Sequence, residues 1–303
     1  MSAGALVAYA FVLVAAPALP GIANRTKAAL TGRRGPPIFQ LYYDLAKLLR
    51  KGAVYSTTTT GIFRLAPAVL LAAVLLAGVL LPLDGHRGLV SFAGDMVAFA
   101  YLLALGRFLL VLAALDTGSS FEGMGASREV TFASFAEPAL FLGLIGLSLA
   151  TRSLSLSGML GGALASAWLG AAPSLVMVAA GLFVVLLAES CRVPFDDPAT
   201  HLELTMIHEV LVLDHSGPDL AVILYASALK LALLGTLVLS VAVPRGGLPM
   251  PFSLAALALG LPLVGIAVGL VESVMARLRL TRVPQVLVAA AALSAFGVVL
   301  LLR

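Results

Sequence analysis

Charge is scarce in this chain: 11% of its 303 residues are Asp, Glu, Lys or Arg, against 61% that are hydrophobic, and the mean hydropathy is +1.07. A chain this poor in charge cannot cover a water-facing surface, so soluble classes are excluded and the bilayer is its natural solvent. Cysteine is almost missing as well. Cys191 stands alone, which rules out an intrachain disulfide and any Cys-x-x-Cys pair for zinc or an iron–sulfur cluster; electrons would have to be handled by another subunit. The four histidines, His86, His201, His208 and His215, all fall between apolar runs, which argues against a haem held by two histidines within the bilayer. No P-loop, no Gly-x-Gly-x-x-Gly after a strand and no nucleophile elbow occur, so nucleotide hydrolysis and hydride chemistry lack support. The formal charge of +4 does not point to nucleic acid, because basic residues in a membrane protein mostly report orientation.

What the chain has in abundance is long apolar runs. A span needs about 20 mostly apolar residues in helical form, since no water satisfies the backbone inside a membrane. Eight windows qualify: 3–23, 62–83, 95–115, 130–150, 173–190, 219–243, 253–272 and 284–302. The first lacks a basic n-region and exits into Arg25, Lys27, Arg33 and Arg34, which fits a retained helix rather than a cleaved signal. Lysine and arginine crowd alternate loops, with Lys47, Arg50, Lys51, Arg64, Arg128, Arg192, Arg277, Arg279 and Arg282 on the same side as that first exit, and only Arg87, Arg152, Arg245 and Arg303 on the other. The basic side is expected in the cytoplasm and both termini outside. Past Gly35-Pro36-Pro37, Ile38, Leu41, Leu45 and Leu48 recur at helical spacing opposite Gln40, Asp44, Lys47 and Lys51, which predicts an amphipathic helix on the cytoplasmic surface, stopped at Gly52. The expected architecture is all-α: eight transmembrane helices in one membrane domain, this surface helix, and a long acidic cytoplasmic loop between the fifth and sixth spans.

That loop gathers Glu189, Asp196, Asp197, Glu203, Glu209, Asp214 and Asp219 with His201, His208 and His215, and only Arg192 as a fixed positive charge. If 199–213 is helical, His201, Thr205, His208 and Val212 share one face. Carboxylates beside a membrane suit proton handling, because partial burial raises a carboxylate's pKa towards the working pH; a solvated acidic loop is the plainer alternative. Zinc hydrolysis does not fit, since Val212 stands where the second histidine of His-Glu-x-x-His would be. Within the spans lie Arg107, Glu137 just before Pro138, and Lys230, with Glu189 and Glu272 at span ends. Each charge at mid-membrane costs about 2.5–3.5 kcal/mol unless paired or hydrated, so these residues form either structural ion pairs or a hydrated polar line.

Gly35-Pro36, Gln40, Asp44 and Lys47-Leu48-Leu49 resemble the first cytoplasmic loop of the respiratory complex I subunit 1 family. Ala188-Glu189, Arg192-Val193-Pro194-Phe195-Asp196, Glu203-Leu204 and Ser216-Gly217 resemble that family's long fifth-to-sixth loop. Within the superfamily the run from Pro194 to Leu220, Leu115 to Ser119, Gly125 to Glu129, and Met275 to Leu280 are similar to the homologous subunit of membrane-bound nickel-iron hydrogenases, the energy-converting and formate hydrogenlyase types. The resemblance implies a membrane anchor of the cell (inner) membrane that couples redox chemistry in peripheral subunits to proton or sodium movement. It implies hydrogenase large and small subunits, an iron–sulfur subunit and antiporter-like membrane subunits as partners, with the nickel-iron site and the clusters in those chains and no cofactor in this one. The family's acidic pathway carries over to Glu189, Glu203, Asp214 and Glu137; His201, Glu209, Asp196, Arg107 and Lys230 are the further candidates for it. Arg34, Gly35, Pro36, Gln40, Asp44, Arg192, Pro194 and Phe195 are the candidate docking residues. Cys191 and His201 stand where quinone-reducing relatives commonly have glutamates, which speaks against a quinone site. The rival readings are the quinone-site-forming counterpart in an NADH-quinone oxidoreductase and, from another class, a stand-alone secondary transporter, which would show inverted repeats with interrupted helices.

Overall fold

A computed structural model describes residues 2–196 and 206–302 of the protein. Twelve α-helices and one 3-10 turn occur among them, and no β-strand. Seven helical segments are long and apolar enough to cross a membrane, or eight when the bent N-terminal pair is taken as one span. That pair is α1 (Ala3–Ala15) and α2 (Ala18–Leu30), which meet at 52°. The window 3–23 therefore undergoes a correction: its helix breaks after Ala15 and continues to Leu30. Pro17 explains the break. It has no N–H for the carbonyl of Leu13, and an unpaired carbonyl in hydrocarbon is costly. The hydroxyl of Tyr225 donates to Leu13 O at 3.0 Å, and that of Tyr42 donates to Val14 O.

The predicted surface helix is α3 (Gln40–Leu49). It leaves Tyr43 and Leu49 exposed and rests on α2 and on the span α10 (Gly217–Ala242). Spans α4 (Gly61–Leu80) and α5 (Asp95–Asp116) keep close to their windows. Span α6 (Ser120–Thr151) does not: it begins ten residues before its window, so Arg128 lies on a helix rather than in a loop. After the short α7 (Leu156–Met159), α8 (Gly162–Glu189) also starts early and carries a kink at Ala171, ahead of Pro173. Only the turn α9 (His208–Leu211) is helical among the described residues of the 199–213 segment; Met206 and Ile207 are not, and His201 and Thr205 of the face expected there lie outside the described residues. The chain closes with α11 (Met250–Val274), a 3-10 turn at Leu280–Arg282 and α12 (Val283–Leu301).

Span α10 is the axis of the bundle. Of its most apolar window 72% is buried, against 28–44% for the other spans, as expected for a helix that is hydrophobic on every side. Around it α4 pairs with α5, α2 with α11, and α6, α8 and α12 form a tight trio. Small residues permit that trio, because helices in lipid associate by close packing rather than by the hydrophobic effect: a Cβ on Gly181 would sit 2.3 Å from Ser294 Oγ and 3.0 Å from Ala290 O.

The two ends of the bundle are tied differently. At one end Thr60 bonds Asp116 through N (2.6 Å) and Oγ1 (2.9 Å), Val54 N donates to Ser216 Oγ (3.0 Å), Tyr55 OH donates to Asp219 (2.9 Å), and Asp214 N donates to Glu122 Oε1 (3.1 Å). At the other end Asp95 accepts from Leu156 N (2.6 Å) and Ser155 Oγ (2.9 Å), and Arg245 bonds Leu83 O (3.1 Å) and Ser240 Oγ (2.7 Å). The basic connections all gather at the first end.

Candidate functional site: a buried ion-pair chain

Four spans each deliver one charged side chain to the same place. Arg107 comes from α5, Glu137 from α6, Glu189 from the last residue of α8 and Lys230 from α10. Arg107 Nη1 lies 2.5 Å from Glu189 Oε1, its Nη2 pairs with Glu137 Oε1, and Lys230 Nζ is 3.6 Å from Glu189 Oε2. Glu189 is thus bracketed by two cations. Its side chain is 5% exposed, those of Arg107 and Lys230 10% and 13%, while Glu137 keeps 38%. α8 ends at Glu189, where the chain turns through Ser190 and the positive-φ Cys191, so the carboxylate sits at the mouth of the bundle.

A second set of pairs lies beside it. Arg192 Nη1 meets Glu272 Oε1 at 3.5 Å and Arg277 Nη2 meets Asp196 Oδ1 at 3.2 Å. Asp196 Oδ2 also accepts from the N–H groups of Ile207 and His208, at 3.0 Å each, and Leu278 N donates to Pro194 O at 2.9 Å. These bonds fasten the 192–196 strap to α9 and to the connection after α11. His208 is half-buried there with Nε2 3.3 Å from Ser227 Oγ. Burial pushes its imidazole below the ordinary value, with Glu129 and Asp196 pulling the other way. Burial also pushes the Cys191 thiol well up, so it stays protonated and is no nucleophile.

Open space connects these groups. A cavity of about 230 Å³ lies between α2, α3, the strap and α10, and Asp196, Glu209, His208 and Cys191 face it. Two smaller cavities, each about 20 Å³, adjoin the Arg107 cluster; that is room for about one water apiece. The first shares Cys191 and Asp196 with the large cavity, the second shares His208 and Ser227 with it. The arrangement can move a proton between carboxylates and water along a path that is otherwise walled by apolar side chains.

The residues singled out from sequence fare unequally. Arg107, Glu137, Glu189 and Lys230 are brought into contact, and Asp196 and Glu209 line the adjoining cavity. Asp214 is a correction: its side chain is exposed on the 212–216 turn, apart from the cluster, because its backbone is drawn to Glu122. Glu203 and His201 lie outside the described residues, as does Asp197. Arg34, Gly35, Pro36, Gln40 and Asp44 stay at or near the surface, with Gln40 Nε2 bonded to Asp44 Oδ1 at 3.0 Å. Arg192, Pro194 and Phe195, expected on a docking face, are buried within the chain because the strap they form is folded into the bundle mouth. Glu129 and Glu122, both buried, are residues that sequence reasoning misses; hydropathy puts Glu129 at the edge of a span, whereas α6 carries it inside.

Fold and site together define a multi-pass helical membrane protein that buries a charged chain at one end of its bundle. The chain belongs to the family described as NADH dehydrogenase, whose sequence profile matches residues 3–302, in keeping with the resemblance carried by the Gly35-Pro36 and Pro194–Leu220 stretches. It is 34% identical over 242 residues to hydrogenase-4 component C of Escherichia coli strain K12, which covers 80% of this chain and 75% of that protein. It is 32% identical over 285 residues to formate hydrogenlyase subunit 4 of the same organism, covering 91% of each. Its fold also matches a chain of the membrane-bound sulfane sulfur reductase, an archaeal respiratory membrane complex, with a TM-score of 0.81 over 98% of both chains at 19% identity. These relatives are components of larger membrane complexes.

Proposed function

We propose that this chain is the membrane-anchor and ion-coupling subunit of a complex I-like, membrane-bound nickel-iron hydrogenase, linking redox chemistry in peripheral subunits to proton movement. The observation that carries the reading is Glu189, buried between Arg107 and Lys230 and lining a small cavity at the mouth of the bundle. A carboxylate so placed can change proton or partner without exposing a bare charge to lipid. The relatives in hydrogenase-4 and formate hydrogenlyase support the hydrogenase assignment over a quinone-reducing complex. The nickel-iron site and the iron–sulfur clusters belong to partner subunits, since Cys191 alone cannot ligate a cluster. Those partners are hydrogenase large and small subunits and an iron–sulfur subunit docked over the basic end, with antiporter-like subunits alongside in the inner membrane.

Chemistry in the Glu189 chain is proton transfer alone. Arg107 and Lys230 hold the carboxylate in place, water in the cavities supplies and removes the proton, and the apolar spans keep bulk water out. In the purified complex, reconstituted into vesicles and evolving hydrogen from reduced methyl viologen, Glu189→Gln should lower proton uptake by about tenfold or more while the subunits still co-purify. Native uptake in that variant would defeat the coupling reading. Hydrogen evolution that required an added quinone would favour the quinone-site alternative.

Orientation follows from the basic end facing the cytoplasm. A cysteine placed at Ser91 should react with an impermeant reagent from outside and one placed at Thr57 should not; the reverse labelling would invert the topology.

A further inference from the structure

Two residues alone among those described line both of the small cavities: Arg107 and Glu129. They form the partition between a space on the α8 and α12 side and a space on the α4 and α10 side. Arg107 is engaged, with Glu189 and Glu137 on its guanidinium. Glu129 is buried, 9% exposed, close enough to influence Arg107, Cys191 and His208, and makes no hydrogen bond or ion pair among the described residues. The formal charges of the cluster do not balance once it is included: Arg107 and Lys230 face Glu129, Glu137 and Glu189. A surplus carboxylate away from bulk water is costly as an unpaired anion. The surplus is removed when one proton is bound; a turn of Arg107 from Glu189 to Glu129 changes only which carboxylate lacks the guanidinium.

We infer that Glu129 is the proton carrier across this partition, taking a proton from water in one small cavity and releasing it to water in the other as Arg107 exchanges partners between Glu189 and Glu129. The step breaks one O–H bond and forms one at each transfer; no electron moves. When the carboxyl is protonated, Arg107 stays with Glu189. When the proton leaves, the guanidinium neutralises the new carboxylate, and Lys230 alone holds Glu189. The large cavity shares Cys191 and Asp196 with one small cavity and His208 and Ser227 with the other, whereas the two small ones share Arg107 and Glu129. Glu129 is the one carboxylate among the described residues that lines both small spaces, which makes it the direct link between them. His208, bonded to Ser227 on the second side, lines the same space.

This inference rests on the proton-coupling reading above, and the test separates the two. The whole complex carrying Glu129→Gln, Glu129→Asp or Glu189→Gln is reconstituted into vesicles, evolves hydrogen from reduced methyl viologen, and reports proton uptake through an entrapped acridine dye. Glu129→Gln should slow uptake by about tenfold or more, Glu129→Asp should restore a substantial part, and infrared difference spectra between alkaline and acidic pH should lose one carboxylic-acid band in the Gln variant. Native uptake in Glu129→Gln beside impaired uptake in Glu189→Gln overturns the carrier role and leaves the coupling reading standing. Native uptake in both overturns both. Slow uptake in Glu129→Gln that Glu129→Asp does not restore, with a native infrared spectrum, makes Glu129 a packing residue and also overturns the inference.

Discussion

Arg107 and Arg245 lie buried near opposite ends of this bundle, and they are partnered in opposite ways. Arg245 is completely buried; its Nη1 and Nη2 donate to neutral oxygens, Leu83 O at 3.1 Å and Ser240 Oγ at 2.7 Å, and its Nε has no partner among the described residues. Asp84 lies near it, but its Oδ1 is taken by the N–H groups of His86 and Arg87. Burial pulls the Arg245 guanidinium down to about 10, with Asp84 opposing, so it remains charged at neutral pH and has no carboxylate to exchange with. Arg107 instead contacts two carboxylates and lines the same two small cavities as a third, Glu129. The first arrangement has one solution and works as a rivet for the loops after α4 and α10. The second sets one guanidinium among several carboxylates, and a charge with alternative partners suits ion coupling. Burial of an arginine by itself therefore says little about function; the number of partners it can choose among says more.

Replacing each arginine by methionine is the strongest way to break this comparison. Arg107→Met leaves Glu189 buried with Lys230 alone and should destabilise the protein by about 3–5 kcal/mol, the usual cost of stripping one partner from a buried pair, with loss of ion-coupled turnover. Arg245→Met strands the Leu83 carbonyl and should cost about 1–3 kcal/mol, with coupling per assembled complex unchanged. Thermal unfolding in detergent together with proton uptake in vesicles reads both; equal losses of coupling in the two variants would erase the distinction.

A smaller effect concerns pH. His215 stacks on Phe63 with ring centroids 4.0 Å apart and planes at 9°, and neither ring nitrogen has a partner among the described residues. Burial holds its imidazole below the ordinary value, against the pull of Asp219 and Asp214. The native state then binds fewer protons than the unfolded chain, so this contribution to stability is complete above about pH 6.5 and is lost progressively as pH falls below it. His208 acts in the same direction. Both belong to the basic end, which should loosen first in acid. His215→Phe keeps the ring stack and removes the titration, so its unfolding midpoint should fall less than that of the native protein between neutral pH and about pH 5; parallel curves would assign the acid sensitivity elsewhere.

The spans were legible because about 20 consecutive apolar residues leave few alternatives in a membrane, and the surface helix because its periodicity is helical. Hydropathy has no means of seeing the break at Pro17, since every residue around it is apolar, nor the early start of α6, whose first turns carry Glu122, Arg128 and Glu129 and so read as loop. Glu129 escapes notice for that reason. Arg107, Glu137, Glu189 and Lys230 were legible because each is an expensive charge in an apolar context. Their mutual contact was not, as it depends on how four spans far apart in sequence rotate against one another. Proximity in sequence misleads twice: Asp214 sits among the acids of its loop yet points to solvent, and Arg192, Pro194 and Phe195 occupy a connection yet are buried.

The bend between α1 and α2 couples positions that no stretch of sequence brings together. Pro17 frees the carbonyl of Leu13, and the hydroxyls that answer at this bend come from Tyr42 on the surface helix and Tyr225 on the central span. Substitution tolerance at these sites is consequently shared rather than separate. A residue with an N–H at position 17 would release Tyr225 to become phenylalanine at little cost, whereas with Pro17 in place the same change strands a carbonyl in hydrocarbon. In a library of variants, Pro17, Tyr42 and Tyr225 should therefore be lost or kept together, a signature of geometry that single substitutions would not expose.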